Sequence, residues 1–204
     1  MKENGQPYTV FTPYKKKWLA LSGQIPVPQP APERVVTPEI QSAALPKMSE
    51  VCPNSTVQPL VKGGEPEGLR RLRAFLSQKI YRYKERRDFP ADDATSLISA
   101  DLRFGTISIR QVFHDATRLL PHADERGRDG IATFISELIW REFYFQILAH
   151  FPHVEKHSFK PTFENLNWEN NEAFFEAWKT GQTGYPIVDA AMRQLRQTGW
   201  MHNR

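Results

Sequence analysis

The chain has 204 residues, of which 40% are hydrophobic and 12% aromatic, and this composition is typical of a folded globular domain. No run of about 18 apolar residues is present, which excludes a helix that spans a bilayer, and the first residues lack the apolar core of a secretory signal. The single cysteine, Cys52, excludes an internal disulfide framework and indicates a reducing compartment.

The first sixty residues contain two different kinds of segment. Residues 8–22 predict the end of a strand followed by a short helix. Eight of the sixteen prolines then fall between Gln24 and Pro59. Repeated proline removes backbone donors and favours extended geometry, so we predict a surface linker over residues 23–62.

From residue 63 onwards the pattern is helical, with no alternating strand signal and no internal repeat. Gly63-Gly64 followed by Pro66 predicts a helix start, and Asp88-Phe89-Pro90 predicts its end. Ser99 is predicted to cap a short helix that ends at Gly105. Ser108, with Gln111 three residues later, predicts a capping box for a helix to about Leu120.

Three further helices are predicted in the second half of the chain. Asp129-Gly130 predicts the start of a long helix, Ile131 to about His150, whose apolar residues cover most of its circumference, so we expect it to be buried on more than one side. Residues 171–179 predict the next helix, with Gly181 behind it. Pro186 and Gly199 bracket the last one. The sequence therefore predicts an all-α fold after the linker.

The segment from Arg70 to Arg87 contains eight basic residues and one acid, Glu85. A tract of this kind is either a solvated helix face or a surface that contacts phosphates of a nucleic acid, and both interpretations stay open.

One face of the long helix combines unusual side chains. Glu137, Trp140, Arg141 and Tyr144 are spaced i, i+3, i+4 and i+7 and so share that face. A Glu137–Arg141 ion pair among packed aromatics would explain them. The alternative is a recognition surface on which the indole stacks against a flat ring and the carboxylate accepts its hydrogen bonds, as the pocket for a flipped base requires.

Other patterns are less specific. Residues 95–99 place hydroxyl groups and backbone amides before a helix, which predicts either a phosphate site or ordinary capping. The tryptophans at 140, 168, 178 and 200 are compatible with core packing or with an electron-hopping chain. His150 and His153 are three residues apart, but a proline intervenes and there is no third ligand, so we predict no metal site.

Three segments together resemble the DNA photolyase/cryptochrome family. They are RDFPADDATSLISADLRFGTIS, SELIWREFYFQIL and WKTGQTGYPIVDAAMRQLRQTGWMHNR, in the order and spacing of the family. The resemblance covers residues 61–204 strongly. The ending Trp200-Met201-His202-Asn203-Arg204 resembles the class I cyclobutane-pyrimidine-dimer photolyases, because six-four photolyases and animal cryptochromes typically carry histidine where Asn203 stands, and the DASH group carries phenylalanine and serine at the positions of Trp200 and His202.

The resemblance implies a role for particular positions. Glu137 and Trp140 would bind the flipped dimer, with Asn203 beside them, and Trp168 would be the surface end of an electron-transfer chain. Arg87, Tyr144 and Arg204 would also contact DNA. The residues implied to hold FAD are Tyr83, Thr95, Ser96, Leu97, Ile98, Ser99, Arg141, Trp200 and Asn203. Leu97 departs from the family, in which arginine is common.

The resemblance also implies an organisation and an activity. Residues 1–22 would be the remnant of an α/β antenna domain, residues 23–62 the interdomain linker, and residues 63–204 the first part of the helical FAD-binding domain. The implied activity is light-driven repair of pyrimidine dimers in DNA by reduced FAD, in a cytoplasmic protein that is associated with the nucleoid in a bacterium. A complete protein would be a monomer, would not bind membranes, and would hold a folate or deazaflavin antenna chromophore outside this chain.

Two other outcomes stay open. A cryptochrome-type blue-light photoreceptor has the same fold. The chain alone is also expected to bind FAD poorly and to repair nothing, since the remaining cofactor-binding residues of the family come later. Its exposed apolar surface would then favour self-association into an inactive oligomer.

Overall fold

A computed structural model of the chain describes residues 2, 4–30, 32, 34–36 and 38–204. Residues 1 and 3 of the predicted antenna remnant, and residues 31, 33 and 37 of the predicted linker, lie outside the described residues. The described part is all-helical and contains no strand. None of its helices combines the length and the apolar character that a membrane span requires.

The α-helices follow one another in this order: α1 (Phe11–Leu21), α2 (Met48–Val51), α3 (Glu65–Ser77), α4 (Tyr83–Arg86), α5 (Ser99–Phe104), α6 (Ile109–Thr117), α7 (Glu125–His150), α8 (Glu172–Thr180) and α9 (Pro186–Thr198). Short 3₁₀ turns lie at Ser22–Gln24, Lys79–Arg82, Leu120–His122, Pro152–Glu155 and Pro161–Phe163. The chain divides into two compact units. The first unit comprises residues 1–28, 63–169 and 204, and the second comprises residues 29–62 and 170–203.

Helix α7 is the centre of the first unit. Its buried residues include Ile131, Phe134, Leu138 and Ile139, so apolar side chains leave it in several directions, as the sequence predicted. Helices α1, α3, α4 and α6 and the turn Lys79–Arg82 surround it. Burial of each such side chain contributes about 1.5–3 kcal/mol to folding, so α7 is held firmly by its neighbours.

The start of α7 corrects the sequence prediction. The helix begins at Glu125, six residues before the predicted Ile131, because Asp124 caps it by accepting a hydrogen bond from the N–H of Gly127 at 2.7 Å. Gly130 therefore lies inside the helix. A Cβ atom there would lie 2.3 Å from the carbonyl oxygen of Ile80. The glycine permits close backbone approach and does not mark a helix start.

Three other sequence predictions are also wrong in detail. The helix that was predicted to run from Pro66 to Asp88 ends at Ser77, and a 3₁₀ turn and the short helix α4 follow it. The predicted capping box at Ser108 does not form: the side chain of Ser108 caps no N–H group, and Gln111 donates to Asp115 at 2.7 Å. Helix α6 also ends at Thr117, before the predicted Leu120. Ser99 is the first residue of α5, after Ile98.

Helix α1 is the short helix predicted within residues 8–22, and it packs on α7. Val10 is extended, but no strand partner is present among the described residues. The carbonyl of Tyr8 accepts a hydrogen bond from the amide of Gln146 at 2.8 Å. Tyr14 packs on Phe143 with ring centroids 5.3 Å apart. Burial, and to a lesser degree the charge of Glu142, raises the pKa of the Tyr14 hydroxyl to about 12.

The second unit contains α2, α8 and α9. Local signals define α8 and α9 as predicted, whereas the short helix α2 (Met48–Val51) lies within the segment that was predicted to be an extended linker. Asn171 caps α8, and Gly181 ends it in the left-handed conformation. Pro186 is the first residue of α9, and Gly199 follows its end at φ 70°. The Asp189 carboxylate accepts hydrogen bonds from the hydroxyl of Thr183 at 2.7 Å and from the N–H groups of Thr183 and Gly184. The first of these bonds, with the others, lowers the pKa of Asp189.

Candidate lesion-binding cavity

Several of the predicted site residues line one cavity in the first unit. The cavity has a volume of about 370 Å³ and is lined by Arg87, Glu137, Trp140, Tyr144 and Arg204. Three of these are on α7, where the spacing i, i+3, i+7 aims them at the same side. Arg87 follows the end of α4 and faces them. The volume is within the range of pockets that hold small ligands.

The Glu137 carboxylate pairs with Arg87 inside this cavity. The guanidinium of Arg87 donates a hydrogen bond to Oε1 of Glu137, and the side chains are 31% and 21% exposed respectively for Glu137 and Arg87. Burial alone would lower the pKa of Arg87, but the hydrogen bond and the charge of Glu137 outweigh it and raise that pKa. Arg87 is also 3.5 Å from the carboxylate of Asp88.

The predicted alternative, an ion pair between Glu137 and Arg141, is wrong. Arg141 donates instead to the carbonyl of Leu102 at 3.1 Å, and its guanidinium lies over the ring of Phe145 at 4.5 Å. One turn of helix separates the two side chains, but the neighbours of α7 offer each a better partner. Arg141 therefore faces α5, away from the cavity lining.

The indole of Trp140 is stacked on a ring from another helix. Phe11, at the first position of α1, lies parallel to it, with ring centroids 3.5 Å apart and planes at 6°. Tyr144 is 5.6 Å from the indole at 22°. Phe11 is not among the site residues predicted from the sequence. The available signal was the spacing of Phe11, Tyr14 and Trp18, which places three aromatic residues on one face of a helix.

Tyr83 lies beside the cavity and is half-buried. Its ring makes edge contacts with Phe75 and Phe134, and the guanidinium of Arg87 is 5.8 Å from its centroid. Burial first, and then the negative charge of Glu137, raises the pKa of its hydroxyl, which therefore stays protonated near neutral pH. Tyr83 is available as a hydrogen-bond donor.

The loop of residues 95–99 has donors that the protein does not use. Within the described residues, no protein acceptor bonds the N–H groups of Thr95, Ser96 and Leu97 or the hydroxyls of Thr95, Ser96 and Ser99. Leu97 has a positive φ of 54°, a conformation that costs a leucine about 1–2 kcal/mol. Ile98 is buried and anchors the loop. Such a set of free donors fits the oxygen atoms of a diphosphate, as FAD carries.

The remaining predicted site residues do not all join the cavity. Arg204 lines it and donates to Asp88. Trp168 is in an irregular segment, and its side chain is 71% exposed. Trp200 and Asn203 belong to the second unit, where Trp200 makes an edge contact with the buried His202.

Ion pairs with acidic side chains neutralise most of the basic tract, residues 70–87. Seven of its eight basic residues form ion pairs; examples are Lys79 with Asp93, Lys84 with Asp129 and Arg86 with Asp92. Most of these pairs are exposed, and such pairs contribute about 0–1 kcal/mol. They can therefore exchange for phosphate oxygens at small cost.

The chain is similar to known proteins over nearly its whole length. The family described as the FAD binding domain of DNA photolyase matches residues 134–204. The chain is 41% identical over 212 residues to the deoxyribodipyrimidine photo-lyase of Synechococcus sp., covering 98% of this chain and 43% of the relative. It is 37% identical to that of Escherichia coli, covering 100% of this chain and 43% of the relative.

Solved structures show the same similarity. A bacterial class III photolyase from Agrobacterium tumefaciens superposes with a TM-score of 0.84 at 36% identity, covering 100% of this chain and 43% of that one. A cryptochrome from Synechocystis sp. superposes with a TM-score of 0.77 at 28% identity, covering 94% of this chain and 41% of that one. The chain thus spans less than half the length of these proteins.

Proposed function

Because the chain belongs to the DNA photolyase/cryptochrome family, we propose that it forms the lesion-binding part of an enzyme that repairs cyclobutane pyrimidine dimers in DNA with light. The relatives named deoxyribodipyrimidine photo-lyase support this activity. The class I subtype is also part of the proposal. It depends on the ending Trp200 to Arg204.

The observation that supports repair most directly is the cavity that contains both Trp140 and Glu137. A base pulled out of a duplex needs a flat surface to stack on and acceptors for its ring N–H groups. The indole provides the first and the carboxylate the second. Arg87 and Arg204 add positive charge at the same cavity, and this charge attracts the DNA backbone.

Arg87 has two roles in this proposal. Without DNA its guanidinium pairs with the Glu137 carboxylate, so that neither charge is left without a partner within a half-buried site. A DNA phosphate at Arg87 would draw its guanidinium away and leave the carboxylate oxygen available to the lesion. Phosphate contacts position the duplex, and contacts within the cavity select the damaged step. A distorted dimer costs less to flip than a paired base, which adds selectivity.

Reduced FAD, when bound, supplies the electron that opens the cyclobutane ring after excitation by blue light and accepts the electron back. The residues of this chain that would hold it are Tyr83, the donors of residues 95–99 and Arg141. Tyr83 would donate a hydrogen bond from its protonated hydroxyl, and the loop amides would hold the diphosphate. We further propose that the 204-residue chain by itself binds FAD weakly.

A cryptochrome-type photoreceptor is the second candidate, because the Synechocystis cryptochrome has the same fold. A photoreceptor does not need to discriminate a dimer from intact DNA. Binding of the 204-residue chain to two duplex oligonucleotides, identical except for one thymine dimer, separates the candidates. We expect tighter binding of the damaged duplex and loss of that preference in Trp140→Ala. Equal binding of both duplexes by the unsubstituted chain would refute the repair proposal.

Catalysis needs a second experiment. In the Synechococcus photo-lyase, the stretch that matches this chain is replaced by residues 1–204 of this chain. The relative then supplies the rest of the hybrid protein. We expect the hybrid to bind flavin and to restore dimer-containing DNA under blue light but not in the dark. The Glu137→Gln hybrid serves as the control: it should keep its flavin spectrum and lose most of the repair.

A further inference from the structure

The stack of Phe11 on Trp140 joins helix α1 to the cavity. The two rings are 3.5 Å apart and nearly parallel, at 6°. They come from helices more than a hundred residues apart in the sequence, so tertiary packing alone brings them together. Phe11 is not among the residues that line the cavity, whereas Trp140 is. Phe11 therefore covers indole surface on the side away from the cavity.

Helix α1 is held in place by contacts other than this stack. Gln146 binds the carbonyl of Tyr8 at 2.8 Å, and Tyr14 packs on Phe143. Phe11 also makes an edge contact with Phe143 at 5.8 Å. The hydrogen bond to Tyr8 and the contact of Phe11 itself with Phe143 fix the first turn of α1 on α7, so the ring of Phe11 has little freedom to follow the indole. Tyr14 packs one turn further along α1. The indole must adopt the plane that Phe11 offers.

An indole on a helix surface has rotamer freedom, and a ligand that stacks on it must remove that freedom at a cost. A second aromatic ring on one face removes it before the ligand arrives. It also leaves only the opposite face and the edges of the indole for a ligand ring. Aromatic pairs contribute beyond the area that they bury, so the stack is strong enough to select one orientation.

We propose that Phe11 is a positioning residue for lesion recognition: it holds the indole of Trp140 in the orientation that stacks on a flipped pyrimidine. This inference rests on the proposed function and extends it to a residue of the N-terminal segment. Phe11 acts through Trp140 and does not touch the lesion. The N-terminal segment is then part of the recognition site.

The test compares Phe11→Leu with a matched control, Tyr14→Leu, in the 204-residue chain. Both remove one aromatic ring from the same face of α1, but only Phe11 stacks on Trp140. The measurement is the ratio of the dissociation constants for undamaged and thymine-dimer duplexes, at one salt concentration. Circular dichroism melting reports the stability of each variant, and Phe11→Met serves as a second variant without a ring if Phe11→Leu lowers the folded fraction.

We expect Phe11→Leu and Phe11→Met to lower the ratio about threefold to tenfold, the size of one aromatic pair. Phe11→Tyr, which keeps a ring of the same shape, should retain the ratio. Tyr14→Leu should retain it too while lowering the melting temperature. An unchanged ratio in Phe11→Leu, or an equal loss in Tyr14→Leu, would overturn the role of Phe11 and leave the proposed function intact. No preference for damaged DNA in the unsubstituted chain would overturn both.

Discussion

The pair of Arg87 and Glu137 leads to a prediction in which the two partners have different effects. The substitutions are Glu137→Gln and Arg87→Gln. Each removes one charge and keeps a polar group, which has the size of the original side chain at position 137 and is shorter than it at position 87. The side chains are 31% and 21% exposed for Glu137 and Arg87. The pair is therefore intermediate between an exposed pair and a buried one.

The cost in stability follows from that exposure. Exposed pairs contribute about 0.2–1 kcal/mol, and removing one partner of a buried pair costs about 3–5 kcal/mol. We expect a loss of about 1–2 kcal/mol for either variant. The loss should be smaller for Glu137→Gln, because Arg87 keeps Asp88 at 3.5 Å.

The effects on DNA binding should differ in kind. Glu137→Gln removes a charged acceptor for a base N–H, worth about 2 kcal/mol or roughly thirtyfold in affinity, and only for damaged DNA. Arg87→Gln removes a phosphate contact, so it should weaken binding to damaged and undamaged duplexes equally and reduce the salt dependence by about one phosphate.

Fluorescence anisotropy with the two duplexes, at several salt concentrations, measures both quantities, and urea unfolding measures stability. If Glu137→Gln weakened binding to both duplexes by the same factor, the carboxylate would not face the lesion and our assignment of the cavity would be wrong. The same conclusion would follow if Arg87→Gln reduced affinity for damaged DNA alone.

Three further predictions concern stability. The folded pKa of Tyr14 lies near 12, above its ordinary value of 10. Its contribution to the stability of the fold is therefore complete below pH 10 and is lost as the pH rises through about 12. The melting temperature of Tyr14→Phe should depend less on pH in that window than the melting temperature of the unsubstituted chain. Gly130→Ala should cost about 3 kcal/mol in urea unfolding because backbone meets the new Cβ, whereas Gly63→Ala, with open space around it, should be neutral. Asp189→Asn should speed amide hydrogen exchange at Thr183 at neutral pH, because the ionised carboxylate accepts the hydrogen bond of that N–H group. The difference in exchange rate between the variant and the unsubstituted chain should vanish as the pH falls through the lowered pKa of Asp189. Unchanged exchange would contradict the proposal that this carboxylate holds the loop before α9.

Single glycine and proline residues correctly predicted the helix ends at which no distant element packs closely against the backbone. Gly105, Gly181 and Gly199 all follow helices in the left-handed conformation, and Pro186 begins α9. These choices depend on the backbone preferences of one residue and its neighbours, so they can be read without the fold.

The same rules failed where another element approaches. Gly130 suggested a helix start, but it lies inside α7, where the backbone of Ile80 comes close. Arg141 suggested an ion pair with Glu137, but Arg87 and Leu102 provide the partners instead. In both cases the deciding contact comes from a residue far away in the sequence, which no spacing along one helix can reveal.

The amino-acid sequence alone determined that the chain is helical after the linker, which family it resembles, and that Glu137, Trp140 and Tyr144 share one face of a helix. Periodicity and motif length are enough for these conclusions, because they depend on residues within one segment. Only the tertiary structure decided that Arg87 reaches Glu137 and that Phe11 stacks on Trp140. Those pairings depend on how helices far apart in the sequence pack together, and packing is a property of all the side chains together.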